Sequence, residues 1–248
     1  MFNFFSRKPA EPEPLPIKVD IHCHVLPGVD DGSPDVETSV SLVESLQRMG
    51  LTKIIASPHV TQATFENTPE TLDPALKQLR DALSERGNSI VLDRSAEYRV
   101  DEFFLEQFSA GNCKALPGQY ILVENSYIQE PWNIEKVLFD LKIKGYKPIL
   151  AHPERYIYYH GNKLSRYQQL HDTETLFQVN ILSIAGAYGS KEKEIALKLL
   201  EKGYVDFLGT DLHNQRHVQI LERFLASREY AKLRPRLEEV AKNDRVFL

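Results

Sequence analysis

From Ile17 onward the chain alternates short apolar runs with longer stretches in which apolar residues recur every three or four positions. The runs predict strands near residues 17–22, 51–57, 89–96, 119–124, 147–151, 177–183 and 205–210, because a strand buried on both faces reads as a nearly continuous apolar segment. Between them the period is helical. Val36, Val40, Val43 and Leu46 share one helix face, with Ser33 before Pro34 as the cap and Gly50 at the end. Thr68-Pro69 opens a second helix that turns Leu72, Leu76, Leu79 and Leu83 inward and stops at Gly87. Residues 131–144 before Gly145, and 191–202 before Gly203, repeat the design, and residues 217–243 also read as helical. Strand and helix units in series favour parallel strands, since each helix supplies the crossover that a parallel pair requires. The pattern predicts an α/β fold, most simply a closed or nearly closed β/α barrel. An open doubly wound sheet ranks second, because no glycine-rich phosphate loop follows the first strand.

Composition narrows the function classes. The 248 residues, 42% of them apolar, fit one enzyme-sized core over 17–248. Residues 1–16, with Glu and Pro alternating, read as a flexible or extended tail; Phe2, Phe4 and Phe5 suggest either a docking peptide or a tail packed on its own domain. A formal charge of −5 and the absence of a Lys/Arg stripe argue against nucleic acid as a partner. Cys23 and Cys113 form neither a metal-ligand spacing nor a disulfide framework, which suits a reducing cytoplasm. No apolar stretch suggests a signal peptide or membrane insertion, so a cytoplasmic protein is expected.

The candidate chemistry sits at the strand ends. Alternation puts His22 and His24 on one face at the end of the first apolar run, and the turn through Asp30 and Asp31 can return a carboxylate to that face. His59 follows the second run, Glu97 the third, Glu124 ends the fourth, His152 follows the fifth, and Asp211 and His213 follow the last. In a parallel barrel these positions share the carboxyl-terminal rim, so six strands would aim them at one cavity. Scattered structural histidines have no reason to prefer that rim.

His22-x-His24, Leu26 to Gly32, Ser57-Pro58-His59, Glu97, Glu124, Ala151-His152-Pro153-Glu154-Arg155 and Thr210-Asp211-Leu212-His213-Asn214 resemble the polymerase and histidinol phosphatase (PHP) superfamily. Within it they are most similar to the manganese-dependent bacterial protein-tyrosine phosphatases of capsule and exopolysaccharide loci. The resemblance implies a distorted (β/α)7 TIM-like barrel holding up to three divalent metals, most simply manganese, with iron or zinc as alternatives. It implies a first metal on His22, His24, Glu97 and Asp211. Glu97 would bridge to a second on Glu124 and His152, and Asp31, His59 and His213 would hold a third, with Asp30 as the alternative to Asp31. It implies a phosphotyrosine protein as substrate, with a bacterial tyrosine kinase as the partner. Two departures stand out: Arg216 lies close to His213, and the Pro-rich extension is additional.

The residues carry a mechanism of their own. Five imidazoles and four carboxylates with no cysteine form a mixed N/O set that suits manganese, iron or zinc. Three divalent ions against four carboxylates would make the cavity positive, where a phosphate dianion must bind. Bridged metals would activate a shared water as hydroxide for in-line attack on a phosphomonoester. Arg155 and Arg216, each near a candidate ligand, are candidate catalytic clamps on phosphate oxygens; a surface ion pair is the plainer role for each. A thiol phosphatase is disfavoured, since the position six after Cys23 is Val29 and six after Cys113 is Gln119, where an arginine is needed. Cys23 is expected to face away from its two histidines. Tyr98, Tyr127 and Tyr156 follow candidate ligands and would either line an aromatic mouth or simply pack at the rim. A small-molecule phosphatase acting on histidinol phosphate is the enzymatic alternative, and a non-catalytic metal-bound binding module the other.

Overall fold

Strands and helices follow one another along the chain in the order the periodicity dictates. A computed structural model describes residues 12–161 and 164–248. β1 (Val19–Asp20) leads through α1 (Val36–Arg48) to β2 (Lys53–Ala56) and β3 (His59–Val60), and α2 (Pro69–Glu85) leads to β4 (Val91–Arg94) and β5 (Glu97–Arg99). Next come α3 (Glu102–Ala110), β6 (Tyr120–Glu124), α4 (Ile134–Ile143), β7 (Lys147–Ala151), α5 (Ser165–Asp172) and β8 (Leu176–Asn180). The chain ends with α6 (Ile181–Ile184), α7 (Ser190–Lys202), β9 (Phe207–Gly209), α8 (Gln215–Leu225), α9 (Arg228–Val240) and α10 (Asn243–Phe247).

All strand pairs are parallel, in the orders β1-β2-β4 and β3-β5-β6-β7-β8-β9. Pro58 interrupts the ladder because it has no N–H to donate. The bonds Ser95 N to Ala56 O, 2.8 Å, and Glu97 N to Pro58 O, 2.9 Å, flank the break. At the far edge the sheet curls back onto its start: Asp211 N donates to His22 O at 2.7 Å and His24 N to Leu212 O at 2.9 Å. Below those bonds, side chains close the seam. Thr210 Oγ1 donates to Asp20 Oδ2 at 2.5 Å, while the Asn243 amide accepts from Leu208 N and donates to Val19 O and Leu208 O.

Two apolar layers result. The helices pack on the outside of the sheet through residues such as Val40, Leu46, Leu76, Leu79, Leu138 and Leu199. A separate cluster, Val19, Ile21, Ile55, Leu122, Ile149 and Phe207, fills the inside, and Phe247 of α10 joins it from the amino-terminal end of the strands. Period two then carries the same strand faces to the rim: Leu122 shares its face with Glu124, and Phe207 shares its face with Gly209.

Several expectations need correcting. Residues 181–183 start α6 instead of extending β8. The cap of α1 is Asp35, whose side chain accepts from Thr38 N at 2.8 Å, while Ser33 Oγ donates to the Asp35 carbonyl. The segment 217–243 is three helices broken at Ser227 and Ala241. Most of the expected tail lies outside the described residues. Its described end does not read as a free tail: Leu15 is buried, its N–H donates to Met49 O at 2.8 Å, and Tyr230 Oη donates to Pro14 O at 2.5 Å.

Candidate metal centre

Nine candidate ligands from six places in the chain meet at the carboxyl ends of the strands. His22 Nε2 lies 3.2 Å from Glu97 Oε2 and 3.5 Å from Asp211 Oδ1. His24 Nε2 lies 3.5 Å and 3.4 Å from the same two oxygens. His152 Nε2 is 2.7 Å from Glu97 Oε1 and 3.9 Å from Glu124 Oε2. His59 turns Nδ1 toward Glu97, at 3.0 Å, and Glu124, at 3.6 Å, and its Nε2 toward Asp31, at 3.4 Å; His213 Nε2 is 3.7 Å from the same Asp31 oxygen. Bonds of about 2.1 Å to a central ion would set neighbouring ligand atoms about 3.0–3.4 Å apart; four of these ten pairs fall in that range, and the others run from 2.7 to 3.9 Å.

The polar atoms without partners support the same fit. Among the described residues, His22 Nε2, His24 Nε2, His59 Nδ1, Glu97 Oε2 and Glu124 Oε2 are buried with no hydrogen bond, although all are part of this cluster. An orphaned buried polar atom costs about 1–3 kcal/mol, so five in one cluster need an unshown partner. Burial opposes protonation of His22, but Glu97 and Asp211 outweigh it and push the imidazole up to about 9. Burial, with Glu97 second, pushes Glu124 up to about 7, whereas the surrounding imidazoles hold Glu97 well below the usual carboxylate range despite its burial. Burial and the Glu97 charge thus oppose ionisation of Glu124, and a divalent ion held by these residues would offset both.

A surrounding set of residues aims the ligands. His24 Nδ1 donates to Asp30 Oδ2 at 2.7 Å, so its Nε2 is the free nitrogen, and Asp30 also accepts from the His59 and Gly32 N–H groups. Asp30 therefore orients ligands while the more exposed Asp31 points between His59 and His213. His22 Nδ1 donates to Gln178 Oε1 at 2.6 Å, Gln178 Nε2 to Asn180 Oδ1 at 2.8 Å, and Asn180 Nδ2 to Asp211 Oδ2 at 2.6 Å. This is the contribution of β8, the one strand to which sequence reasoning gave no role. Its signal was two polar residues, two apart, inside the apolar run Leu176 to Ile184. Gly209 is demanded by this packing, since a Cβ there would stand 2.7 Å from both His22 Cβ and Gln178 Nε2. His152 and Asp211 adopt left-handed backbone, φ 33° and 51°, at a cost of about 1–3 kcal/mol each.

Above the ligands lies a cavity of about 370 Å³ lined by, among others, Asp31, His59, Phe65, Arg99, Tyr127, Arg155, Tyr188 and His213. Arg155 donates to Asp211 Oδ2 at 2.7 Å, and its guanidinium lies 4.8 Å from the Tyr127 ring centre and 4.0 Å from that of Tyr188. Arg99, two residues after Glu97 on the same strand face, was missed in sequence; its Nε is 3.2 Å from Glu124 Oε1. The structure does not bring Arg216 to the cavity. It is exposed on the first turn of α8 and lines a separate hollow with Ala185 and Arg223, because the turn that aims His217 at the cavity rotates its neighbour away. Of the three rim tyrosines, Tyr127 lines the cavity, while Tyr98 and Tyr156 are buried, Tyr156 donating to Ala151 O at 3.0 Å. Cys23 is buried among apolar residues and burial pushes its thiol well up; burial pushes Cys113 up to about 12. Neither thiol is poised as a nucleophile.

Comparison with known proteins places the chain among relatives. The chain is 29% identical over 238 residues to the tyrosine-protein phosphatase YwqE of Bacillus subtilis, covering 92% of this chain and 93% of YwqE. It is 28% identical over 202 residues to the tyrosine-protein phosphatase CpsB of Streptococcus pneumoniae, covering 79% of this chain and 83% of CpsB. A solved structure from work on YwqE of Bacillus subtilis and CpsB of Streptococcus pneumoniae, described as unique metal-dependent tyrosine phosphatases, superposes with a TM-score of 0.76 at 29% identity over 92% of this chain and 96% of that one. A phosphotriesterase homology protein from Escherichia coli, at 12% identity and a TM-score of 0.50 over 92% of this chain and 93% of that one, shares the fold alone. The family described as capsular polysaccharide synthesis, CpsB/CapC, matches residues 18–240, and the chain belongs to it.

Proposed function

We propose that this protein is a metal-dependent protein-tyrosine phosphatase, built on a distorted (β/α)7 barrel. The observation that carries the reading is the set of five buried, unpartnered ligand atoms beneath a cavity walled by two arginines and aromatic rings. His22, His24, Glu97 and Asp211 would hold a first divalent metal, Glu97, Glu124 and His152 a second, and Asp31, His59 and His213 a third. The mixed N/O set suits manganese, iron or zinc, and manganese is the one the resemblance implies. When bound, the metals supply Lewis acidity and an activated water for phosphomonoester hydrolysis.

The chain's own residues do the rest. Asp211 Oδ2 accepts from Arg155, Asn180 and Tyr188, which leaves Oδ1 toward the two histidines. Among the described residues Asp211 is the one acceptor of the Arg155 guanidinium, so its remaining N–H donors serve a phosphate dianion at the cavity wall. Arg99 adds a second cation beside Glu124. Phe65, stacked on His59 at 5.8 Å, and Tyr127 supply aromatic walls for the substrate ring. A phenoxide leaves readily, so no dedicated general acid is required. The substrate is a phosphotyrosine protein, most simply a bacterial tyrosine kinase in the cytoplasm; no helix among the described residues is long and apolar enough to cross a membrane. Turnover of a phosphotyrosine peptide against histidinol phosphate, on manganese-loaded protein, tests the reading. The peptide should be strongly preferred and a chelator should abolish the activity; preference for histidinol phosphate, or full activity in protein shown to be metal-free, would overturn it.

A further inference from the structure

The loop between β6 and α4 has an unusual division of labour. Its polar side is tied down at four points: Asn125 N donates to Tyr156 Oη at 2.8 Å, Asn125 Nδ2 to Tyr159 Oη at 3.0 Å, Tyr158 Oη to Ser126 O at 2.7 Å, and Tyr159 Oη to Glu130 Oε1 at 2.5 Å. Its apolar residues point the other way. Ile128 is 90% exposed and Trp132, the single tryptophan of the chain, 94% exposed; Ile157, in the tyrosine segment that anchors the loop, is 70% exposed. A loose loop could shelter such side chains by collapsing on itself, but this one is held so that they face solvent. Large apolar side chains presented on a fixed frame are the composition of a binding hot spot, since the ordering cost of the loop is met before the partner arrives.

Continuity identifies the occupant. Tyr127, one residue before Ile128, lines the cavity and bonds His152 Nε2 at 3.1 Å, and Arg155, two residues before Ile157, lines the same cavity, so both segments that carry the patch leave from its wall. Phe139 and Ile143 are also exposed, but they lie further along α4, whose carboxyl end leads toward the start of β7 at the opposite end of the strands. We propose that Ile128, Trp132 and Ile157 form a docking surface for the polypeptide around the phosphotyrosine, taking an apolar side chain close in sequence to the phosphorylated residue. This rests on the phosphatase reading and narrows its substrate class to peptides with an apolar neighbour.

The test uses manganese-loaded full-length protein and two phosphotyrosine peptides identical except for leucine or serine beside the phosphotyrosine, with p-nitrophenyl phosphate as a substrate without flanking chain. The leucine peptide should be favoured about tenfold in kcat/KM, mainly through KM, the scale of one hot-spot side chain. Trp132→Ala combined with Ile128→Ser should erase that preference and lower the ratio of leucine-peptide to p-nitrophenyl phosphate turnover about tenfold; Ile143→Ser should change neither. Trp132 emission should shift to the blue on adding a non-hydrolysable phosphonate form of the leucine peptide. Equal turnover of both peptides, or a preference that survives in the double variant, would overturn the docking surface. So would an emission shift that follows protein concentration or lipid vesicles instead of peptide, which would assign the patch to a second copy or a membrane. Turnover of p-nitrophenyl phosphate separates the failures: without it and without peptide turnover the phosphatase reading falls, and with it only the docking surface does.

Discussion

The two ends of the curled sheet are built from the same strands and obey opposite rules. At the amino-terminal end Phe247 is 1% exposed, its ring centre 5.4 Å from those of Phe207 and Tyr120, and the Asn243 amide makes three backbone hydrogen bonds that join β1 to β9. Asp244 finishes that end by accepting from the Lys18 and Val19 N–H groups. At the carboxyl rim five buried atoms of candidate ligands have no partner among the described residues, and His152 and Asp211 hold strained backbone. Polar groups at the base are satisfied by the chain itself, whereas those at the rim are left for something the chain does not contain. Stability is concentrated at one end so that the other can carry an arrangement that is unfavourable on its own.

Substitutions should therefore separate metal and turnover from stability according to the end they touch. The largest effect belongs to Glu97→Gln, which removes a charge shared by two proposed metal positions. Bound metal and turnover should fall together, turnover by about a thousandfold or more; a variant that keeps full manganese stoichiometry by elemental analysis would remove Glu97 from the centre. Phe247→Ala should do the reverse. Truncating this buried ring should cost about 3–5 kcal/mol, or roughly 6–20 °C in melting temperature, while kcat/KM of the folded, metal-loaded protein holds. Loss of turnover without loss of stability would show that the base communicates with the rim.

The same division explains what could be read from sequence. The candidate ligands stood out in sequence because all but Asp31 are charged or imidazole residues placed at or just after the end of an apolar run, as with Glu124 after Tyr120 to Val123. Their supports were not: Gln178 and Asn180 are uncharged, and only the folded sheet brings them beside His22 and Asp211, 156 and 31 residues away. Arg216 misled because proximity in sequence to His213 says nothing about which side of α8 it occupies. The short strands β3 and β5, beyond the breaks at Ser57-Pro58 and Ser95-Ala96, lie past the ends of the predicted runs 51–57 and 89–96, and β3 is two residues long, too short to leave a periodic trace. The seam through Asn243 was out of reach for another reason: its contact with Val19 spans 224 residues and involves no repeating pattern.

Arg155→Ala sharpens the contrast within the rim itself, between holding metal and holding substrate. Asp211 Oδ2 would keep Asn180 and Tyr188 as donors, so the carboxylate should stay oriented and metal stoichiometry should match the wild type. Turnover of a phosphotyrosine peptide should fall roughly ten- to a thousandfold in kcat/KM, the scale of one charge-assisted contact in a sheltered site. Unchanged kcat/KM would show that this arginine braces Asp211 and does not touch phosphate.

The smallest expected effect tests the base through pH. Asp206, at the start of β9, accepts from Phe177 N at 2.9 Å and from Lys242 Nζ at 2.6 Å, and His171 Nε2 lies 3.4 Å away. Burial opposes its ionisation, but His171, Lys242 and the Phe177 N–H outweigh that and hold the carboxyl below its usual range. The folded pKa is thus lower than the unfolded one, near about 4, so between the two the unfolded chain binds more protons. The contribution to stability is complete above the unfolded value and drains away as pH falls through the folded one. Asp206→Asn keeps the shape and removes the charge. Its melting temperature should lie a few degrees below wild type at pH 7, with the gap closing toward pH 3, measured on metal-free protein so that ligand protonation at the rim does not enter through metal release. A gap that stays constant across that range would mean that Asp206 acts through shape and hydrogen bonding alone, and that the base owes nothing to charge.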